Sequence, residues 1–179
     1  MTVSREDILE FLPEIGQISD PGLKDLTLTV WFEAVKKSGW TADDLRRIPF
    51  TLLLKSTNVT LIEHTRAVTQ SAVQSGEVLN QNYPGKVTVN RDVLLSGAIL
   101  HDVGKLFEYT LDHGVFVKSR EGELLRHPIS GAAFAFKYGL PQEVVHIIAA
   151  HSKEGDGGRR TIEAIIVNHA DFVNFDVFK

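Results

Sequence analysis

The 179-residue chain contains no cysteine. This absence excludes disulfide bonds, cysteine-ligated zinc or iron–sulfur sites, and a thiol nucleophile. Seven histidines and 23 acidic residues remain as side chains that can bind a metal. Any transition metal would therefore be held by imidazole and carboxylate groups, the ligand set of iron, manganese, cobalt or catalytic zinc.

The sequence also lacks an excess of basic residues and a long apolar run. Nineteen lysines and arginines against 23 acidic residues give a net charge of −4, which argues against a broad nucleic-acid surface. No stretch approaches the roughly 18 apolar residues of a membrane-spanning helix, and the acidic residues near the N-terminus are unlike a signal peptide. We therefore expect a cytoplasmic protein with neither extended nucleic acid nor a membrane as partner.

Helix-capping residues recur in the first part of the chain. Three pairs are typical of helix N-termini: Ser4 with Asp7, Asp20 with Pro21, and Thr41 with Asp44. This first segment carries no cluster of metal-binding side chains. We expect residues 1–50 to form a helical layer packed on a core of residues 51–179, the two parts making one compact unit.

Further along the chain, apolar residues at helical spacing predict five more helices. They are expected at residues 59–80, from Asn90 through Leu100 to Gly104, and at 128–138, 141–151 and 161–179. Gly104 is expected to end the second of these. Aromatic and β-branched residues on either side of Leu-Asp-His-Gly predict a hairpin within residues 107–118. The predicted fold class is an all-α helical bundle with one small β-hairpin.

The stretch Leu-His-Asp-Val-Gly-Lys at residues 100–105 is the first candidate for chemistry. His101 and Asp102 fall on the last turn of a predicted helix, about 100° apart, where two adjacent side chains can approach one metal. Gly104 then turns the chain, so that Lys105 can place a cation near the same point.

Helix faces divide the other histidines into two groups. His64 and His151 lie within apolar stripes of their helices and can reach the interior, whereas His113, His146 and His169 are predicted to lie in a hairpin tip or on other faces.

Two further residues are candidates for the same interior site. His127 precedes a proline and should stand at a helix entrance, where the helix dipole favours anionic ligands. Asp171 shares a helix face with Ala164 and Val167, where a carboxylate is costly unless a cationic group meets it.

Taken together, these residues resemble the signature of a known family. His64, the His101-Asp102 pair and Asp171, with Gly-Lys just after the pair, are similar to the HD-domain superfamily of metal-dependent phosphohydrolases. The two further histidines, His127 and His151, resemble those of its dinuclear branch. The resemblance covers about residues 57–175. The Gly-Tyr-Pro motif of the cyclic-di-nucleotide-specific branch is absent, which argues against that substrate.

The resemblance implies two divalent transition metals, with iron or manganese expected and cobalt, nickel or zinc as alternatives. The implied ligands are His64, His101, Asp102 and Asp171 for one metal and His127 and His151 for the second, with Asp102 bridging the two. The implied reaction is hydrolysis of a phosphate mono- or diester, with a nucleotide as the expected substrate, by hydroxide activated between the metals. Asp102 and Lys105 would be catalytic, and Lys105 would also bind the phosphate.

Several residues outside this set have both a functional and a structural interpretation. Arg159 and Arg160 can reach an anionic substrate at the site mouth or simply belong to a solvated loop. Two sets of aromatic residues also have two interpretations each. The first set either stacks on a base or fills the core, and consists of Tyr109, Phe134 and Tyr138. The second set either closes the core or forms a homo-oligomer contact, and consists of Phe172, Phe175 and Phe178.

Two other functions are compatible with the same residues. A minority of the superfamily uses similar ligands for a mixed-valent di-iron oxygenase that cleaves inositol or phosphonate substrates. A non-catalytic nucleotide-binding module would keep the ligands without turnover. The small-molecule phosphate ester or nucleotide remains the expected partner under the main hypothesis.

Overall fold

The computed structural model describes residues 3–54 and 57–179. In these ranges the elements are α1 Arg5–Phe11, α2 Pro21–Ser38, α3 Ala42–Leu45, α4 Leu61–Asn82, α5 Arg91–Leu100, α6 Lys105–Glu108, β1 Tyr109–Asp112, β2 Val115–Lys118, α7 Arg120–Leu124, α8 His127–Lys137, α9 Gln142–Ala150 and α10 Ile162–Asp176. Short 3₁₀ helices lie at Pro13–Gln17 and Lys153–Gly155. The predicted helical bundle with one hairpin is confirmed. In the described part of the chain, none of the helices has the length and apolar character needed to cross a membrane.

Local capping explains why these helices begin where they do. The Ser4 hydroxyl accepts a hydrogen bond from the Asp7 amide, and the Asp7 carboxylate accepts one in return from the Ser4 amide. Thr41 begins α3 with the same reciprocal pair. Helix α4 begins at Leu61, after a third such box at Thr60 and two residues later than the predicted start. Each box satisfies amide groups that the first helical turn cannot pair internally.

The N-terminal helices pack on the helices that follow them. The indole of Trp31 is fully buried and donates a hydrogen bond to the Ile99 carbonyl at 2.9 Å. The indole of Trp40 donates to the Leu106 carbonyl at 2.8 Å. Residues on both sides of residue 50 thus share one hydrophobic core, which also includes side chains of α8 and α9. The boundary at residue 50 stays a prediction.

Helices α4, α5, α9 and α10 surround a second apolar cluster that includes Val68, Ala98 and Val167. Gly97 lets α5 approach α9 closely, because a Cβ atom there would collide with the Ile147 side chain. This packing brings the ends of α5 and α9 together, and these ends carry the histidines of the candidate site.

The hairpin has the predicted position and turn. Tyr109 pairs with Lys118, and the two-residue turn has φ angles of 47° at His113 and 81° at Gly114. Positive φ at both central residues is typical of a type I′ turn, whose twist matches that of the flanking strands. Two short helices beside the hairpin, α6 and α7, were not predicted from the sequence.

The expected role of Gly104 was wrong. Helix α5 ends at Leu100, four residues earlier, and Gly104 has a φ of −64°, which any residue can adopt. The glycine is required for a different reason: a Cβ atom at this position would collide with the backbone carbonyl of His127. Gly104 therefore allows the start of α8 to lie directly against the turn that carries Asp102.

Candidate metal centre

A single buried carboxylate, that of Asp102, lies at the centre of four histidines. Its Oδ2 atom lies 3.3 Å from Nε2 of His101 and 3.6 Å from Nε2 of His64. Its Oδ1 atom lies 3.2 Å from Nε2 of His127 and 3.7 Å from Nε2 of His151. The site thus contains two groups of side chains that could each hold a metal ion, and the two groups share Asp102.

Asp171 completes the first group from the C-terminal helix. Its Oδ1 atom accepts a hydrogen bond from Nε2 of His64 at 3.0 Å and lies 3.9 Å from Nε2 of His101. Burial opposes ionisation of Asp171, but the His64 hydrogen bond and the nearby His101 ring outweigh it and lower its pKa to about 2. Asp171 is therefore a carboxylate at neutral pH, the form that binds cations.

Hydrogen bonds on the far side of three imidazoles fix their orientation. Nδ1 of His101 donates to the Ala98 carbonyl at 2.7 Å, and Nδ1 of His151 donates to the Ile148 carbonyl at 2.8 Å. Nδ1 of His127 donates to the Glu108 carboxylate at 2.7 Å. Because these acceptors require a proton on Nδ1, each ring directs its Nε2 atom to Asp102, where Nε2 can bind a metal in the neutral form of the ring.

This arrangement fits a metal better than it fits an ordinary polar core. Nε2 of His101 and Nε2 of His151 are buried and have no hydrogen-bonding partner among residues 3–54 and 57–179. A buried polar atom without a partner is costly, and nitrogen lone pairs gathered around carboxylate oxygens are met best by a cation. The donor set of histidine and aspartate suits a transition metal.

The protonation states of the site support this interpretation. Burial lowers the pKa of His127 to about 4, and its hydrogen bond to Glu108 opposes this only in part. Burial also lowers the pKa of His64. In His101, burial opposes protonation, but the Asp102 carboxylate outweighs it and raises the pKa. Two of the four rings thus favour the neutral form, which is the form that binds metals.

Lys105 is held against the central carboxylate. Its Nζ atom donates to Oδ2 of Asp102 at 2.6 Å and to the Phe50 carbonyl at 2.5 Å. Burial opposes ionisation of Asp102, but the cations of Lys105 and His101 hold its pKa well below the usual range. An ammonium group has three N–H donors, so one remains for a ligand in the adjoining cavity.

A cavity of about 690 Å³ adjoins this site. Three predicted metal ligands reach it, namely Asp102, His127 and Asp171, and it contains five basic side chains: Lys105, Lys118, Arg126, Lys153 and Lys179. Its apolar wall is formed by Leu52, Leu53, Leu54, Phe172 and Phe175. The cavity thus combines cationic groups near the site with an apolar surface large enough for a small organic molecule.

The two arginines predicted from the sequence do not line this cavity. The guanidinium of Arg160 donates to the carbonyls of Ala150 and Ser152 and to the Asp156 carboxylate, and so holds the loop before α10. Arg159 is exposed. The prediction that they bind substrate gains no support from these positions. The sequence argument missed Lys118, Lys153 and Arg126, although Arg126 directly precedes His127.

Of the other aromatic residues considered from the sequence, one lines the cavity and another packs in the core. Tyr109 lines the cavity, whereas the ring of Phe134 packs 4.9 Å from that of Phe107 and 4.8 Å from that of Tyr138. The core interpretation therefore fits Phe134, and the position of Tyr109 is compatible with contact to a ligand.

The C-terminal aromatic residues cover another ring near the site. The rings of Phe175 and Phe178 lie 5.8 and 5.9 Å from that of Phe50. Homo-oligomer formation stays a prediction.

The three excluded histidines lie away from the site. His113 is almost fully exposed at the hairpin tip, with 97% of its side chain accessible. Nε2 of His146 accepts a hydrogen bond from the Thr161 amide at the start of α10, and His169 is exposed.

Comparison with known proteins places these observations in a family. The chain is 37% identical over 118 residues to the dihydroneopterin 2′,3′-cyclic phosphate phosphodiesterase of Methanocaldococcus jannaschii, a match that covers 62% of this chain and 44% of that protein. It is also 37% identical over 86 residues to ribonuclease Y of Acidothermus cellulolyticus, covering 48% of this chain and 15% of that protein.

The chain thus spans less than half the length of each of these relatives. No solved structure gives a significant match. The HD domain model matches residues 61–174, a range that includes all six predicted ligands, so the chain belongs to the HD domain family.

Proposed function

We propose that this chain is a metal-dependent phosphohydrolase that cleaves a phosphate mono- or diester of a small molecule at a dinuclear site. One observation carries the proposal: the two oxygens of the buried Asp102 carboxylate face two separate histidine pairs. A carboxylate in this position can bridge two cations, and its two oxygens set their separation.

The residues would divide between the two metals as their distances suggest. His64, His101 and Asp171 would join Oδ2 of Asp102 on one side, and His127 and His151 would join Oδ1 on the other. Two bound divalent cations would lower the pKa of a shared water and stabilise the charge that develops on the phosphate. Iron or manganese is the expected metal, and cobalt, nickel or zinc would also accept this ligand set.

The chain's own groups would then bind and orient the phosphate. Lys105 presents a donor from a buried position beside Asp102, where electrostatic interactions are stronger than in water. Arg126 and Lys118 supply further positive charge along the cavity wall. These cations favour an anionic substrate.

The cavity favours a small substrate over a long polymer. Its volume of about 690 Å³ lies within the range of sites for small organic molecules. The apolar wall that includes Leu52 and Phe172 would contact a flat or aliphatic part of the substrate. The names of two relatives, a cyclic phosphate phosphodiesterase and a ribonuclease, support phosphodiester chemistry. We therefore propose a nucleotide or a nucleotide-like cyclic phosphate as substrate.

A substrate screen with matched variants tests this proposal. The purified chain, loaded with Mn²⁺ or Fe²⁺, would be assayed against 2′,3′-cyclic nucleotides, nucleoside monophosphates, dinucleotides and short RNA. We expect hydrolysis of one of the small substrates and a loss of about 10²- to 10³-fold in Asp102→Asn and His101→Ala, the size of effect for losing one group that stabilises developing charge. His169→Ala, on an exposed face of α10, serves as the control and should retain activity.

Three results would contradict the proposal. Full activity in a folded Asp102→Asn protein would show that the reaction does not need the carboxylate. Oxygen consumption with a phosphonate or polyol, without phosphate ester hydrolysis, would support the oxygenase. Ligand-induced stabilisation without turnover of any of these substrates would support the binding module.

A further inference from the structure

Glu108 lies behind His127 and does not belong to the predicted ligand set. Its Oε2 atom accepts hydrogen bonds from both the backbone amide and Nδ1 of His127, each at 2.7 Å. Its Oε1 atom faces Nη1 of Arg126 at 3.2 Å and Nζ of Lys118 at 3.9 Å. The carboxylate is buried, with the residue 4% exposed. Both carboxylate oxygens of Glu108 thus have partners, and those of Oε2 are two groups of His127.

The backbone around Glu108 is held in place by the segment that follows the hairpin. The Ser119 amide donates to the Glu108 carbonyl at 2.8 Å. Gly122 lies so close that a Cβ atom there would collide with the backbone of Glu108. Because Glu108 ends the short helix that Lys105 begins, its position is coupled to the turn that carries Asp102.

The four histidines of the site differ in what lies behind them. His101 and His151 donate to backbone carbonyls, and Nδ1 of His64 has no partner within the described ranges. His127 is the one of the four whose Nδ1 meets an acidic side chain. A carboxylate behind a ligating imidazole fixes the tautomer and increases electron donation by the other ring nitrogen.

We infer that Glu108 is a positioning residue that orients His127 and strengthens it as a ligand of the second metal, the one on the Oδ1 side of Asp102. This inference rests on the proposed dinuclear function and goes beyond it, because it makes the two metal positions unequal. Removing Glu108 should weaken the second position selectively, since the hydrogen bonds of His64, His101 and Asp171 go to other groups.

The chain offers a matched control for the charge of Glu108. Glu154 lines the same cavity and also accepts a hydrogen bond from Arg126, at 3.2 Å from Nε. It makes no hydrogen bond to His127. Glu154→Gln therefore removes an acid from the same arginine without changing what lies behind the imidazole.

Metal binding, measured without substrate, tests the inference. Metal-free wild type, Glu108→Ala, Glu108→Gln and Glu154→Gln would be titrated with Mn²⁺ by calorimetry, and the loaded proteins examined by electron paramagnetic resonance. We expect two ions in wild type and in Glu154→Gln, with a spin-coupled Mn²⁺ pair. In Glu108→Ala the affinity for one ion should fall by about 10- to 100-fold, the coupled signal should weaken, and the affinity for the other ion should stay unchanged.

Glu108→Gln separates hydrogen bonding from charge. The glutamine carbonyl can still accept from His127, so a loss smaller than that in Glu108→Ala supports a positioning role. Thermal unfolding checks that each variant folds, and Glu108→Gln decides the matter if the alanine variant does not fold. Equal loss of both ions in a folded Glu108→Gln protein would contradict the inference.

The outcomes also separate this inference from the function on which it rests. Two ions in wild type and unchanged binding in both Glu108 variants would overturn the role of Glu108 and leave the dinuclear site intact. A single ion in wild type would overturn the dinuclear site, and the inference with it.

Discussion

The Nζ atom of Lys105 lies 2.6 Å from Oδ2 of Asp102, and both side chains are buried. The same oxygen faces two histidines that are predicted to bind a metal. In the absence of metal, Lys105 is thus the main counter-charge of the central carboxylate. Without Lys105, the buried negative charge of Asp102 would be compensated less fully, by the His101 ring.

Lys105→Met tests this role through stability. The substitution removes the cation and keeps the side-chain volume, so it should lower the free energy of unfolding of the metal-free protein by roughly 3–5 kcal/mol, as for other broken buried ion pairs. Added Mn²⁺ should restore part of the loss, because bound cations compensate the same carboxylate. Urea denaturation with and without Mn²⁺ measures both effects, and equal stability of the two metal-free proteins would contradict the role.

The pH dependence of stability should depend on His127. Its pKa is lowered from 6.5 to about 4 in the folded state, chiefly by burial. The unfolded chain therefore binds a proton on this side chain below pH about 6.5, while the folded chain does not until pH about 4. Its contribution to stability is complete above pH 6.5 and is lost as the pH falls through this window.

Comparison of metal-free wild type with His127→Gln isolates that contribution. Between pH 6.5 and 4 the wild type should lose up to about 1.4 kcal/mol more stability per pH unit than the variant, the value for one proton. Denaturant unfolding at several pH values measures the difference. Parallel pH profiles for the two proteins would show that His127 is not buried in the neutral form.

Gly104→Ala should damage the second half of the site. The new Cβ atom would meet the His127 carbonyl and push the start of α8 away from Asp102. We expect a loss of about 1–3 kcal/mol in stability, as for other overpacked positions, together with weaker binding of one of two Mn²⁺ ions. Gly16→Ala is the matched control, because no atom lies within 4 Å of its added Cβ. Equal stability and equal Mn²⁺ binding in the two variants would contradict the close approach of α8 to the Asp102 turn.

Leu53 tests the apolar wall of the cavity. Its side chain lines the cavity although the residue is 74% exposed, so Leu53→Ala should change stability by less than about 0.5 kcal/mol. KM for the preferred substrate should rise several-fold with kcat unchanged, the pattern of lost uniform binding. Leu124→Ala, which removes a leucine that is 65% exposed and lies outside the cavity lining, should leave KM unchanged. Similar KM values for both variants would show that Leu53 does not contact the substrate.

Local chemistry explains why the helices and the candidate ligands could be predicted from the sequence. Capping residues such as Ser4 and Thr41 act within one turn, so their effect does not depend on the rest of the fold. The histidines and aspartates were sorted by helix face, and residues on inward faces of packed helices meet in the interior. Helix faces directed His64, His151 and Asp171 inward, whereas the full set of six ligands was what the resemblance to the HD-domain superfamily implied.

The parts that were missed depend on contacts between distant segments. Helices α6 and α7 have four and five residues, too few for a periodic pattern. Glu108 meets His127 only because Gly104 allows α8 to approach the Asp102 turn. For Arg160, substrate binding stays a prediction; its guanidinium donates to the Ala150 and Ser152 carbonyls, contacts that no sequence pattern reveals.

The central claim is that Asp102 bridges two metals, and anomalous scattering from crystals of the Mn²⁺-loaded protein tests it most directly. The account predicts two peaks, about 3.5–4 Å apart, with one beside His64 and His101 and the other beside His127 and His151. A single peak, or two peaks that do not share the Asp102 carboxylate, would contradict it.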